Sequence, residues 1–165
     1  MAAAEAGHHG DEPAARAALS DPDGEVRATA LQALKRMGRL TSRDVVAALA
    51  DGDRRVRSRA CLVAADMPDV DLLGLLGDRD HTVAEVAAFS LGEQGATAAV
   101  PALSDMATSH TDPLCREAAV AALGAIGDEQ GLPAILAATT DKAAVRRRAV
   151  IALAPFEGPQ VEAAL

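Results

Sequence analysis

The strongest constraint in this chain is that it repeats itself. Five segments align without gaps: Val26-Arg-Ala-Thr-Ala30 ahead of Leu34 and Gly38, Val56-Arg-Ser-Arg-Ala60 ahead of Ala64 and Pro68, Val83-Ala-Glu-Val-Ala87 ahead of Leu91 and Gly95, Cys115-Arg-Glu-Ala-Ala119 ahead of Leu123 and Gly127, and Val145-Arg-Arg-Arg-Ala149 ahead of Leu153. Each carries a small or branched apolar residue, Ala four later, and Leu or Ala eight later. A spacing of four keeps side chains on one face of an α-helix. In four of the five, Gly or Pro at the twelfth position ends that helix. The anchors at 26, 56, 83, 115 and 145 fall 27 to 32 residues apart, the period of stacked helical hairpins.

A shorter helix is expected before each of these, over residues 13–19, 42–50, 70–76, 98–107 and 131–138. Pro13, Ser42, Asp69, Thr97 and Asp128 mark their starts as first-turn or N-cap residues. The turn between the two helices of each pair carries aspartate: Asp21, Asp51, Asp78, Asp112 and Asp141. Such side chains close Asx turns and cap the second helix. The fourth turn, over 106–111, reads as about five residues longer than its siblings.

Composition agrees with helices. The chain has 165 residues, of which 40 are Ala, with two Phe and no Tyr or Trp. Alanine is the best helix former and strands favour aromatic and β-branched residues, so an all-β fold is nearly excluded. Half the residues are hydrophobic, enough for a sizeable core. No run approaches the ~18 apolar residues that span a bilayer. The start has neither a basic n-region nor an apolar run of signal-peptide length. Cys61 and Cys115 lie inside apolar helical patterns, which suits a reduced, cytoplasmic protein without disulfides.

The pattern Asp-x-x-x-x-Val-Arg-x-x-Ala-x-x-x-Leu-x-x-x-Gly resembles HEAT repeats, in the short form first named for phycobilisome lyases. Asp21 to Arg27 and Asp51 to Arg57 carry the turn aspartate and second-helix arginine at one spacing, and residues 123–136 are close to the family consensus across a repeat junction. The resemblance covers about residues 13–165. It implies an all-α, right-handed α-solenoid of the armadillo/HEAT type. About five hairpins are expected (13–38, 42–68, 69–95, 97–127 and 128–157), with a terminal helix at 158–165 and a flexible segment at 1–12. Together, 13–165 form a single domain. Ala84 departs from the pattern in place of the third arginine, Ala64 and Pro68 blur the second repeat, and Cys115 replaces Val. Basic residues are nearly all Arg (only Lys35 and Lys142 are Lys), which with the Ala content is associated with GC-rich bacterial genomes.

The family implies a binding scaffold whose second helices line a concave surface. On a helical wheel, the side opposite the core stripe of the second helices carries Lys35, Leu62, Phe89, Ala121, Arg147 and Ile151. The row Leu62–Phe89–Ala121–Ile151 is apolar where a bare solvent face is polar, as at interaction sites. Packing against the neighbouring second helix explains the same row, and wheel phase does not separate the two. The candidate partner-binding residues are Lys35, Leu62, Phe89, Arg147 and Ile151.

Charge is segregated. Residues 27–59 hold nine basic and three acidic side chains, whereas 60–141 hold two basic and thirteen acidic. This pattern either steers a complementary partner or reflects solvated faces in which Arg27, Arg57, Arg116 and Arg146 pair with turn aspartates.

No chemistry stands out. His81 and His110 sit singly in turns, and His8-His9 lie near the start. There is no Cys-x-x-Cys, His-x-x-x-His or His-Glu dipeptide and no Gly-rich loop with Lys, so no metal, cofactor or catalytic site is expected. The net charge of −8 and the scarcity of aromatic residues argue against nucleic acid. The expected function is a cytoplasmic, non-catalytic protein–protein or peptide-binding scaffold. The alternatives are a bilin lyase-like or small-molecule-handling role and, behind it, nucleic-acid binding.

Overall fold

A computed structural model describes residues 11–164. The expected flexible segment lies outside the described residues up to Gly10, as do His8, His9 and Leu165. Among the described residues the secondary structure is helical throughout, with no strand. The chain divides into two compact units, Met1–Val70 and Asp71–Leu165.

In the first unit, α1 (Glu12–Ala18) pairs with α2 (Gly24–Arg36), and α3 (Ser42–Leu49) with α4 (Arg54–Val63). The two longer helices α2 and α4 pack on each other. The core stripe comes from the repeat positions, with Ala30, Leu34, Val56 and Ala60 all buried. Helix α3 starts at Ser42 as expected, with Thr41 as its cap, through a capping box in which Thr41 and Asp44 satisfy each other's backbone N–H groups.

In the second unit, α5 (His81–Glu93), α7 (Pro113–Ile126) and α9 (Ala143–Ala152) are the second helices, and α7 packs against both α5 and α9. The first helices are α6 (Val100–Ser109) and α8 (Leu132–Ala138), and the short α10 (Pro159–Ala164) follows α9. The helix expected over 70–76 is instead a single 3-10 stretch, Leu73–Gly77. Pro68 precedes it, and Gly74 and Gly77 offer little helix propensity, so no full α-helical turn is sustained. The extra residues of the fourth repeat lengthen α6 to Ser109 rather than the turn, because Met106 and Ala107 are buried there. The expected helix stops hold: Gly38, Gly95 and Gly127 adopt left-handed φ values of 64°, 62° and 69°.

The turns are built from pairs of aspartates with divided roles. Asp21, Asp51 and Asp78 each accept the N–H of the residue two later at 2.8 Å, forming Asx turns. The residues they hold, Asp23, Asp53 and Asp80, cap the second helices, accepting N–H bonds of 2.9, 2.8 and 3.0 Å. Arginine then ties one hairpin to the next. Arg27 donates to the Asp21 carbonyl of its own turn at 2.7 Å and forks onto the Asp51 carboxylate of the following turn at 2.8 and 2.7 Å. Arg116 repeats this, donating to the His110 carbonyl at 2.8 Å and to both Asp141 oxygens at 2.6 and 2.8 Å. Arg57, itself buried, donates to the Asp51 and Gly52 carbonyls. Arg146 is exposed.

The rung after the third hairpin is built differently. Ala84 takes the arginine's place and is fully buried. His110 takes the place of the Asx aspartate, its Nδ1 accepting the Asp112 N–H at 3.1 Å. The His110 ring meets the His81 ring edge-on, with centroids 4.9 Å apart, and His81 Nδ1 lies 3.4 Å from the Asp112 carboxylate.

Candidate functional site

The second unit carries an apolar face on three adjacent second helices. Phe89 on α5 is 46 % exposed and Ile151 on α9 is 63 % exposed. Between them α7 presents only small residues, the half-buried Ala121 and Gly124 and the exposed Ala125. Two large side chains therefore flank a shallow trough. Its α7–α9 part is a cavity of about 450 Å³ bounded by Ala121, Gly124, Ala125, Ile151 and Pro155, with Arg148 at its edge.

The floor is low because the helices touch through glycine. A Cβ on Gly124 would lie 2.7 Å from the Ala152 Cα, and one on Gly92 would lie 2.8 Å from the Ala122 Cα. Both distances are closer than a methyl group tolerates against backbone. Glycine at these positions lets α5, α7 and α9 approach closely.

Charged groups line the face one helical turn away from the apolar row. Glu117 on α7 pairs with Arg148 at 3.4 Å. Glu85 on α5 is half-buried and has no ion-pair or hydrogen-bond partner for its carboxylate among the described residues. Burial, together with the nearby Asp112 and Glu117 carboxylates, pushes its pKa above the ordinary glutamate value. Arg147 on α9 is exposed.

Of the residues singled out from the sequence, Phe89, Arg147 and Ile151 lie on this face. Leu62, 44 % exposed on α4, and Lys35 on α2 belong to the other unit. Lys35 donates to the Val63 carbonyl at 2.9 Å and ion-pairs with Asp66, so it ties α2 to the end of α4. The i, i+4 spacing of Glu85 to Phe89 is the sequence signal that places Glu85 on this face. The meeting of His81 with His110 joins separate hairpins and leaves no local spacing signal.

Reactive groups are few. Cys61 and Cys115 are buried thiols outside any disulfide among the described residues. The Cys115 thiol donates to the His81 carbonyl at 3.3 Å, and burial pushes its pKa up to about 11, away from the thiolate a nucleophile needs. Among the described residues no group of three or more His, Cys, Asp or Glu side chains is placed to hold a metal ion. No described helix is long and apolar enough to cross a membrane.

The family described as HEAT repeats matches residues 70–154, more than half of the chain. This chain belongs to the HEAT-repeat family. No curated protein matches it. Among solved structures 44 chains match. One is the crystal structure of an engineered protein, 19 % identical, with a TM-score of 0.65 and covering 98 % of this chain and 85 % of its own. At that identity the likeness speaks for the fold alone, which is the α-solenoid of HEAT repeats. In such a fold each hairpin buries its apolar face only by stacking on its neighbours. The arginine–aspartate rungs are polar ties across those stacking planes.

Proposed function

We propose that this HEAT-repeat protein is a non-catalytic scaffold of the cytoplasm that docks a protein or peptide partner on its second-helix face. One observation carries this reading: Phe89 and Ile151 stand exposed on helices that flank a third bearing only small side chains. Large apolar side chains held in one row on rigid helices are poor for solubility and good for binding, since little is lost in ordering them. Arg147 supplies a charged contact on the same face. Leu62 and Lys35 are contacts of the first unit, with Lys35 acting mainly through its α4 ties.

The test is affinity capture from host lysate with the intact chain and with the double variant Phe89→Glu, Ile151→Glu. Both positions are solvent-exposed, so the variant keeps its helical circular dichroism. A discrete partner retained by the parent and lost by the variant supports the scaffold. Equal retention by both contradicts it.

A further inference from the structure

The Glu85 carboxylate is the feature of this face that the scaffold reading leaves unexplained. It is half-buried, no described side chain neutralises it, and two further carboxylates, Asp112 and Glu117, crowd it. Those two have partners of their own, His81 at 3.4 Å and Arg148 at 3.4 Å. A desolvated anion without a counter-charge costs stability, and a cation brought to it recovers that cost.

The apolar row fixes where such a cation must come from. Glu85 and Phe89 are four residues apart on α5, so they share a face about 6 Å apart along the axis. Across α7, Phe89 and Ile151 are separated by two helix–helix spacings, roughly 16–20 Å. The low floor between them accepts one helix of about 10 Å diameter lying along α7.

We propose that this face binds a basic amphipathic helix of a partner protein, its large apolar residues seated between Phe89 and Ile151 and a lysine or arginine one turn away set against Glu85. This deepens the scaffold reading and rests on it. Charge complementarity selects the occupant: the wall next to the phenylalanine is acidic, and Arg147 at the opposite wall favours an acidic residue at the far flank.

Two synthetic 20-residue helical peptides test it. Both carry Leu at i, i+3, i+4 and i+7 spacing. One has Lys on one flank of that stripe and Gln on the other, and the second peptide has Glu in place of the Lys. Binding is read by fluorescence anisotropy at ~150 mM salt, where Debye screening over about 8 Å suppresses long-range attraction to an acidic protein. The expected result is that the Lys peptide binds the parent, loses about tenfold or more in affinity with Phe89→Glu, and loses roughly threefold to tenfold with Glu85→Gln. The Glu peptide binds much more weakly to the parent. If both peptides bind equally and both depend on Phe89, the basic-partner proposal is overturned while the scaffold reading stands. If Lys-peptide binding ignores Phe89→Glu, the attraction is non-specific and the proposal fails. If neither peptide binds, the proposal fails, and self-association through Phe89 in sedimentation then names a second copy as the occupant.

Discussion

The Arg116 guanidinium holds both oxygens of the Asp141 carboxylate, at 2.6 and 2.8 Å, across the plane between two hairpins. The same arginine donates to two carbonyls of its own turn, so one side chain locks a turn and ties it to the next. The pair is mostly buried, with 12 % and 20 % of the two side chains exposed. The bridge draws the Asp141 pKa down to about 2. Its folded value lies below the ordinary carboxylate range near ~4. The stabilisation is therefore complete above that range and is lost as pH falls through about 2. Arg116→Ala is expected to cost about 2 kcal/mol at neutral pH, with Asp141→Asn costing less. Urea unfolding at pH 7 and at pH 2.5 checks this, and the difference between parent and variant should shrink at the lower pH.

The third rung gives a sharper test, because both of its ends differ together. Ala84 stands where the others have arginine, and His110 where the others have the Asx aspartate. Ala84→Arg alone buries a guanidinium without its carboxylate and is expected to destabilise by about 2 kcal/mol or more. Adding His110→Asp restores the partner. A double-mutant cycle should therefore show a favourable coupling of about 1 kcal/mol. Additive effects would mean that the rung geometry does not transfer to this junction.

Gly124→Ala sets two effects against each other. Alanine is the better helix former by about 1 kcal/mol. The added methyl would sit 2.7 Å from the Ala152 Cα and 3.0 Å from its carbonyl oxygen, forcing α7 and α9 apart. Overpacking of this kind costs about 1–3 kcal/mol, so net destabilisation is expected in thermal unfolding. Gly52, where an added Cβ meets nothing within 4 Å, is the control and should show no such cost.

Glu85 makes the opposite prediction. Its raised pKa means that the folded protein holds the proton more tightly than the unfolded chain. Its contribution to stability thus falls as pH rises from the unfolded glutamate pKa through the folded one. Glu85→Gln removes that penalty and should leave stability at pH 7 unchanged or higher by up to about 1 kcal/mol. A variant that is more stable and binds the Lys peptide less well is the signature of a residue kept for binding rather than for folding.

How much of this could be read from the chain follows from which interactions are local. Helix phase, the glycine stops and the aspartate turns are set by neighbours within a few residues, and they recur five times, so Val26, Ala30 and Leu34 already announce a hairpin. The 3-10 stretch at Leu73–Gly77 escaped because its glycines weaken the helix without changing the apolar spacing. The rungs were only half legible. Pairing of arginines with turn aspartates, one of the two readings of the charge pattern, holds for Arg27 and Arg116, but the aspartate is that of the next turn, Asp51 or Asp141, while each arginine donates to a carbonyl of its own turn. Sequence spacing does not distinguish those two. Phe89 and Ile151 were visible as an apolar row, yet their exposure depends on α7 offering Ala121 and Gly124 rather than larger neighbours. The contact of His81 with His110 joins residues 29 positions apart and leaves no trace in either local pattern.

A partner seated on the face that holds Phe89 lies within reach of a crosslinker placed there. The decisive measurement is photo-crosslinking in the host, with benzoylphenylalanine at Phe89, Ile151 or Val46. Val46 is 55 % exposed on α3, a first helix, and serves as an equally apolar control. One discrete crosslinked protein, shared by positions 89 and 151 and absent at 46, is expected. The same products at all three positions, or none at 89 and 151, would mean that no partner docks on this face.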